Sequence, residues 1–265
     1  PSLPLGTSFL GLQAMEALGS PSNSRGILLQ HSQIAWKYHI DMLKSNEINI
    51  REVSGLTRGQ AESALISLSS GLDGNCIVGT CDSLVFPKNL HLLPKKEKTI
   101  GVWVTNPSEF AINNPKQFGW VDLDAEGIVL ESWIKEEPPF AQEKFVISGT
   151  FYFGDVLGSI ELLKSYIKNG STVNGEYYLD SLLEFARGEK WQILGLIPEW
   201  FISLGTPEEY ETYVYWEKLF NQPWCNGVPF VNQKRQGNKS STLCCLLNRS
   251  CDYNGRRASP VCNFY

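Results

Sequence analysis

The 265-residue sequence holds only three histidines and seven cysteines, and no apolar run reaches the ~18 residues that a membrane span needs. His31, His39 and His91 stand at no metal-ligand spacing and beside no Ser or Cys partner, so surface or loop roles are expected for them. No two cysteines form a Cys-x-x-Cys pair, which argues against a zinc site. No basic, apolar leader opens the chain, so cytoplasmic residence and no membrane partner are expected. The first residue is Pro1 and not Met, and upstream sequence is therefore expected. No internal repeat is visible.

Positive charge is also scarce, and it is unevenly placed. The chain carries 23 Lys/Arg against 28 Asp/Glu, a net charge of −5. From Pro223 to Tyr265 there are six basic residues and one acidic residue, so the body to residue 222 stands at −10 and the tail at +5. An acidic body excludes nonspecific nucleic-acid binding, which depends on neutralising phosphates. Five cysteines also fall in this tail: Cys225, Cys244, Cys245, Cys251 and Cys262. Two units follow, a folded domain over 1–222 and an irregular, Cys-rich basic tail over 223–265 that is expected to be disordered or accidental.

What is present in the body is alternation of strand and helix patterns. Helices are expected over Thr7–Leu18, Gln33–Leu43 (Ile34, Tyr38 and Met42 inward), Gly59–Leu68, Val156–Lys168, Glu176–Ala186 and Glu208–Phe220. Thr206 with Pro207 opens the last of these. Strands are expected over Arg25–Gln30, Ile48–Val53, Cys76–Cys81, Thr99–Thr105, Phe145–Phe153 and Trp191–Leu196, with a hairpin over Gly119–Ile134. This alternation predicts an α/β three-layer sandwich with a mostly parallel central sheet.

Ligands of such sheets sit beyond the carboxyl ends of the strands. Asp82 follows the apolar run Cys76–Cys81 there, either as a carboxylate for Mg²⁺ or as the cap of the next turn. Gly59 and Gln60 stand at a loop-to-helix junction, where backbone can approach a ligand closely or simply begin a helix. Glu176 and Asp180, four apart, would share one helix face, either as site carboxylates or as a solvated acidic face.

Taken together these segments resemble the sugar nucleotidyltransferases, which make nucleotide sugars from an NTP and a sugar 1-phosphate. Gly59 falls where that family meets the nucleotide base, and Asp82 falls at the spacing of its metal-binding Asp. Phe118-Gly-Trp-Val-Asp-Leu-Asp-Ala-Glu-Gly-Ile-Val129 is similar to the family's G-x-V-x-x-D-x-x-G-x-V substrate segment. Lys135 sits near the Glu-Lys-Pro lysine, and Ile147-Ser-Gly-Thr-Phe-Tyr-Phe153 matches a G-x-Y-x-F strand. Trp200-Phe-Ile-Ser-Leu-Gly-Thr-Pro-Glu-Glu-Tyr210 resembles the closing W-x-D-x-G-T-P-E-D motif.

The resemblance implies a nucleotide-diphospho-sugar transferase-like fold and Mg²⁺-dependent joining of NTP to sugar 1-phosphate, or a similar phosphorylated acceptor, with pyrophosphate released. It supplies catalytic roles for Asp82 and Lys135, nucleotide contacts at Gly59 and Gln60, and substrate contacts at Gly119, Gly149, Thr150 and Glu176. Cell-surface polysaccharide precursor synthesis is the implied setting, through the capsule-type segment Gly175-Glu-Tyr-Tyr-Leu-Asp180.

Two departures stand against it. The family's Gly-rich loop with Arg and Lys-Pro is not found before Thr7, so the sequence as it stands is expected to be nearly inactive. The second metal-binding Asp would fall on Ser203, and the expected replacement is Asp180. A glycosyltransferase of the same general fold would want Asp-x-Asp where Asp82 is followed by Ser83-Leu84. A non-catalytic nucleotide-sugar-binding protein is the other alternative.

Overall fold

The computed structural model describes residues 4–5, 8–19, 25–30, 37–69, 71 and 74–220. The expectations for Ile34 and for the 223–265 tail lie outside the described residues.

Chain order begins with the short pair β1 (Pro4–Leu5) and β2 (Ser8–Phe9), antiparallel to one another. Because Ser8 and Phe9 are paired, helix α1 starts later than its apolar spacing suggests, at Leu10–Ala17. It is buried almost all round. Leu12 joins Phe9 in one cluster with Leu29, Ile40, Leu43 and Ile48, while Leu10, Ala14 and Ala17 face another with Leu84, Leu204 and Tyr213.

The first of these clusters lies under β3 (Gly26–Gln30) and β4 (Asn49–Val53), a parallel pair joined through α2 (Lys37–Ser45). Ile40 and Leu43 face inward on α2, whereas Tyr38 is 68% exposed, a correction to the inward stripe read from sequence. Ile40 and Leu43, three apart, set the buried stripe, and Tyr38 falls off it.

Among the described residues six strands form the central sheet, in the order β11 (Gln192–Leu196), β7 (Thr99–Thr105), β10 (Phe145–Phe153), β8 (Gly119–Leu123), β9 (Val129–Ile134), with β5 (Cys76–Val78) also on β10. β11 runs parallel to β7, and β10 runs antiparallel to β5, β7 and β8. Four strands (β5, β7, β8, β11) therefore point one way. β10, inserted among them, turns most of the hydrogen-bonded ladders antiparallel.

One sheet face is covered by α3 (Gln60–Leu68), α5 (Val156–Asn169) and α6 (Leu179–Gly188), while the short α4 (Glu109–Asn113) follows β7. Ala61, Ala64 and Leu68, Leu162, Leu163 and Tyr166, and Leu182, Leu183 and Ala186 meet Ile100, Val102, Val104, Phe151 and Phe153 from the strands. The opposite face carries Trp103 and Tyr152 against Val85 and Phe201. These two come from a ribbon the sequence reading missed, β6 (Ser83–Phe86) paired antiparallel with β12 (Trp200–Ser203). α1 and α7 (Pro207–Phe220) pack beyond that ribbon, completing the three-layer α/β sandwich. No helix among the described residues is long and apolar enough to cross a membrane.

The β8–β9 hairpin forms as its sequence directs. Asp124 Oδ1 accepts from the amides of Glu126 (3.0 Å) and Ile128 (2.7 Å), and Gly127 supplies the φ of +81° that the turn demands.

Two other expectations are corrected. The strand expected to run up to Asp82 stops at Val78, and Asp82 sits in the bend before β6. The helix expected from Glu176 begins only at Leu179, so Glu176 and Asp180 do not share a helix face. Glu176 closes a tight turn with Val173, through Asn174 and Gly175 at φ +52° and +83°. Tyr177 is committed elsewhere: its amide donates to Arg58 O (2.8 Å) and its carbonyl accepts from Ala61 N (2.9 Å).

Candidate functional site

The expected site residues gather along one edge of β10. That strand pairs with β8 at Phe145–Val146 and with β5 at Phe151–Phe153, so Ser148, Gly149 and Thr150 lie between the two ladders. Against β7 on the other side the register slips, and these three residues stand opposite Trp103 alone. The result is a bulge of the kind that re-aims side chains and frees backbone groups. Gly149 takes φ +80° at its centre, and a Cβ there would lie 2.7 Å from Thr80 Cγ2. Glycine is required on both counts. Ser148 Oγ is buried and has no hydrogen-bond partner among the described residues, and Thr150 is buried beside Gly79.

On one flank of this bulge stand Gly119, Lys135 and Asp180. Gly119 opens β8 next to Ile147, and a Cβ on it would lie 3.0 Å from Asp180 Cγ. Asp180, in the first turn of α6, thus fills space that any larger residue at 119 would occupy. Burial pushes its carboxyl up to about 6, with the Lys135 ammonium pulling the other way. Lys135 ends the hairpin with φ +59°, its amide donating to Phe118 O (3.0 Å). Its ammonium donates to Gln117 O and lies 5.8 Å from the centre of the Tyr178 ring.

Gly59 and Gln60 are stitched to the same segment. Gly59 has φ +123°, and a Cβ on it would meet Tyr177 backbone at 2.7 and 2.8 Å, while Gln60 Oε1 accepts from Leu179 N (3.4 Å). Glu176 is exposed and receives a hydrogen bond from Tyr178. Burial first, then Glu176, raises the Tyr178 phenol above its ordinary range.

The other flank holds Asp82. Thr80, packed on Gly149, shares a 3.0 Å hydrogen bond with Ser83, and exposed Asp82 lies between them. The β6–β12 register sets Ser83 opposite Ser203, and Leu204 N donates to Asp82 O at 2.8 Å. A separate 420 Å³ hollow beyond the carboxyl end of β10, lined by Glu97, Lys98, Asp155, Glu161, Glu189 and Trp191, is too acidic to receive phosphates.

The same arrangement of elements recurs in solved structures. A nucleoside-diphosphate-sugar pyrophosphorylase from Vibrio cholerae RC9 superposes with a TM-score of 0.62 at 16% identity, covering 80% of this chain and 90% of that one. An inositol-1-phosphate CTP transferase from T. maritima gives 0.59 at 14%, covering 80% and 84%. A UDP-glucose pyrophosphorylase complexed with UDP-glucose gives 0.61 at 11%, covering 82% and 89%. The chain has the sugar nucleotidyltransferase fold. No protein-family model matches the sequence, and no curated protein does.

The residues around Asp82 could hold a divalent cation. A Cβ built on Gly205 would lie 3.7 Å from Asp82 Oδ2, 3.9 Å from Glu209 Oε2 and 4.0 Å from Ser203 Oγ. The missing Cβ leaves a hollow ringed by hard oxygens, two of them from carboxylates, which is the donor set Mg²⁺ takes alongside phosphates. Among the described residues no group of three or more His, Cys, Asp or Glu side chains could hold a metal alone. Sequence reasoning missed Glu209, although Thr206-Pro-Glu-Glu209 has the spacing of a capping box.

Proposed function

We propose that this nucleotidyltransferase fold joins an NTP to a sugar 1-phosphate, or a similar phosphorylated acceptor, and releases pyrophosphate. The observation that carries the reading is the convergence on one bulge in β10 of a lysine flank and a carboxylate flank. A phosphate oxygen of the acceptor attacks the α-phosphorus in line, forming the new P–O bond as the bond to pyrophosphate breaks. No covalent enzyme intermediate is needed, so the protein contributes positioning and charge stabilisation.

Lys135 is the cation for the acceptor's phosphate. Its ammonium rests on a neutral carbonyl and an aromatic face, and Asp180 holds a compensating charge nearby. Backbone at half-buried Gly149, free of the flanking β5 and β8 ladders, meets the sugar, with Thr150 buried beneath it and Gly119 and Glu176 alongside. Gly59 and Gln60 border the nucleotide base. Asp82 would hold Mg²⁺, which would neutralise charge at the NTP phosphates. The capsule-type segment Gly175–Asp180 supports a role in cell-surface polysaccharide precursor synthesis.

The test is pyrophosphate release by the full-length protein across a panel of NTPs and sugar 1-phosphates. Release that requires one member of each class is expected. Release by no pair would overturn the reading.

A further inference from the structure

Ser203 stands where a direct carboxylate ligand is wanted, and the structure shows what the serine does instead. Its hydroxyl donates a 2.9 Å hydrogen bond to Glu209 Oε2. The same oxygen accepts from Thr206 N (3.0 Å), while Glu209 N donates to Thr206 Oγ1 (3.2 Å). This reciprocal pair is a capping box at the start of α7, and it fixes the glutamate's rotamer. The Ser203 bond then bends that fixed carboxylate toward β12, beside Asp82, around the hollow left by Gly205.

We propose that Glu209 supplies the second carboxylate of the cation site, held there by Ser203, and that Asp180 serves Lys135 instead. The inference rests on the nucleotidyl-transfer reading. Both hydrogen bonds fall on Oε2 and fill its two lone-pair sites, which leaves Oε1, with two sites of its own, as the oxygen for a metal while the group caps the helix. A serine with a glutamate six residues on thus replaces one aspartate: the short side chain leaves room, and the longer one reaches into it.

Glutamine also serves in a capping box, so Glu209→Gln keeps the cap and removes only the charge. Mn²⁺ binding to the full-length protein, followed by the free-ion paramagnetic resonance signal, is the readout, with Asp82→Asn alongside. Glu209→Gln should weaken Mn²⁺ by ~10- to 100-fold with an unchanged melting temperature. Ser203→Asp in the Glu209→Gln background should restore binding, since it returns a carboxylate to the β12 position.

Wild-type Mn²⁺ affinity in Glu209→Gln, with affinity lost in Asp82→Asn, would overturn the glutamate's role and leave the transfer reading standing. Failure of the wild-type protein to bind Mn²⁺ would overturn both. Should Glu209→Gln fold poorly, Ser203→Ala decides, since it keeps Glu209 and removes the bond that holds it: wild-type Mn²⁺ affinity in it overturns the proposal.

Discussion

The carboxylate of Asp180 occupies the space that a side chain on Gly119 would fill, its Cγ 3.0 Å from the position of the missing Cβ. Residues 61 positions apart are thus coupled through one atom's worth of volume, at the flank of the bulge where Lys135 also sits. Gly119→Ala should therefore displace Asp180 and destabilise the fold by about 1–3 kcal/mol, the usual cost of overpacking. Chemical denaturation checks this. Adding Asp180→Ala should cost less than the sum of the single changes, because the clash is relieved.

The same carboxyl should shape the pH dependence of stability. Its folded-state value of about 6 lies above the unfolded value of about 3.9. Between these the native state binds more protons, so unfolding free energy falls as pH rises through about 4 to 6. Urea midpoints measured across that window should decline with pH, and Asp180→Asn should flatten the decline. An unchanged slope in the variant would place the titrating group elsewhere.

Gly59→Ala is expected to be severe. The residue takes φ +123°, and a Cβ would press on the Tyr177 backbone at 2.7 Å, with no flexible side chain to yield. Loss of the Arg58–Tyr177 and Ala61–Tyr177 backbone bonds should follow. A fall of several degrees in melting temperature is expected. By contrast Gly175→Ala, where a Cβ would meet nothing within 4 Å, should show only the modest cost of its φ of +83°.

Why some of this was legible and some was not follows from the range of the interactions. β7, β10 and the β8–β9 hairpin carry strong local patterns, and Asp124 and Gly127 write the turn into four residues. The start of α6 is different: Tyr177 is held by Arg58, 119 positions away, and no local spacing announces that. The β6–β12 ribbon carried a local signal in Leu84-Val85-Phe86 and Trp200-Phe201-Ile202, but its pairing is long-range. Asp82, Lys135, Gly119 and Asp180 could be singled out by motif order. Glu209 comes to the Gly205 hollow that Asp82 also lines only through that unforeseen pairing.

Lys135→Gln should separate binding from folding. The side chain ends in a hydrogen bond to Gln117 O that an amide can also make, so stability should be little changed. Loss of the charge should raise the KM for the phosphorylated acceptor by ~10-fold or more while leaving the KM for NTP near wild type. Equal effects on both substrates would argue against an acceptor-phosphate role.

Asp82 is the residue on which cation-assisted nucleotidyl transfer turns. The measurement is pyrophosphate release by the full-length protein with its preferred NTP and sugar 1-phosphate, comparing wild type with Asp82→Asn over a range of Mg²⁺ concentrations. Release should need both substrates and the cation, and should fall by ~100-fold or more in the variant. Release that is undiminished by Asp82→Asn, or that proceeds without the cation, would contradict that role.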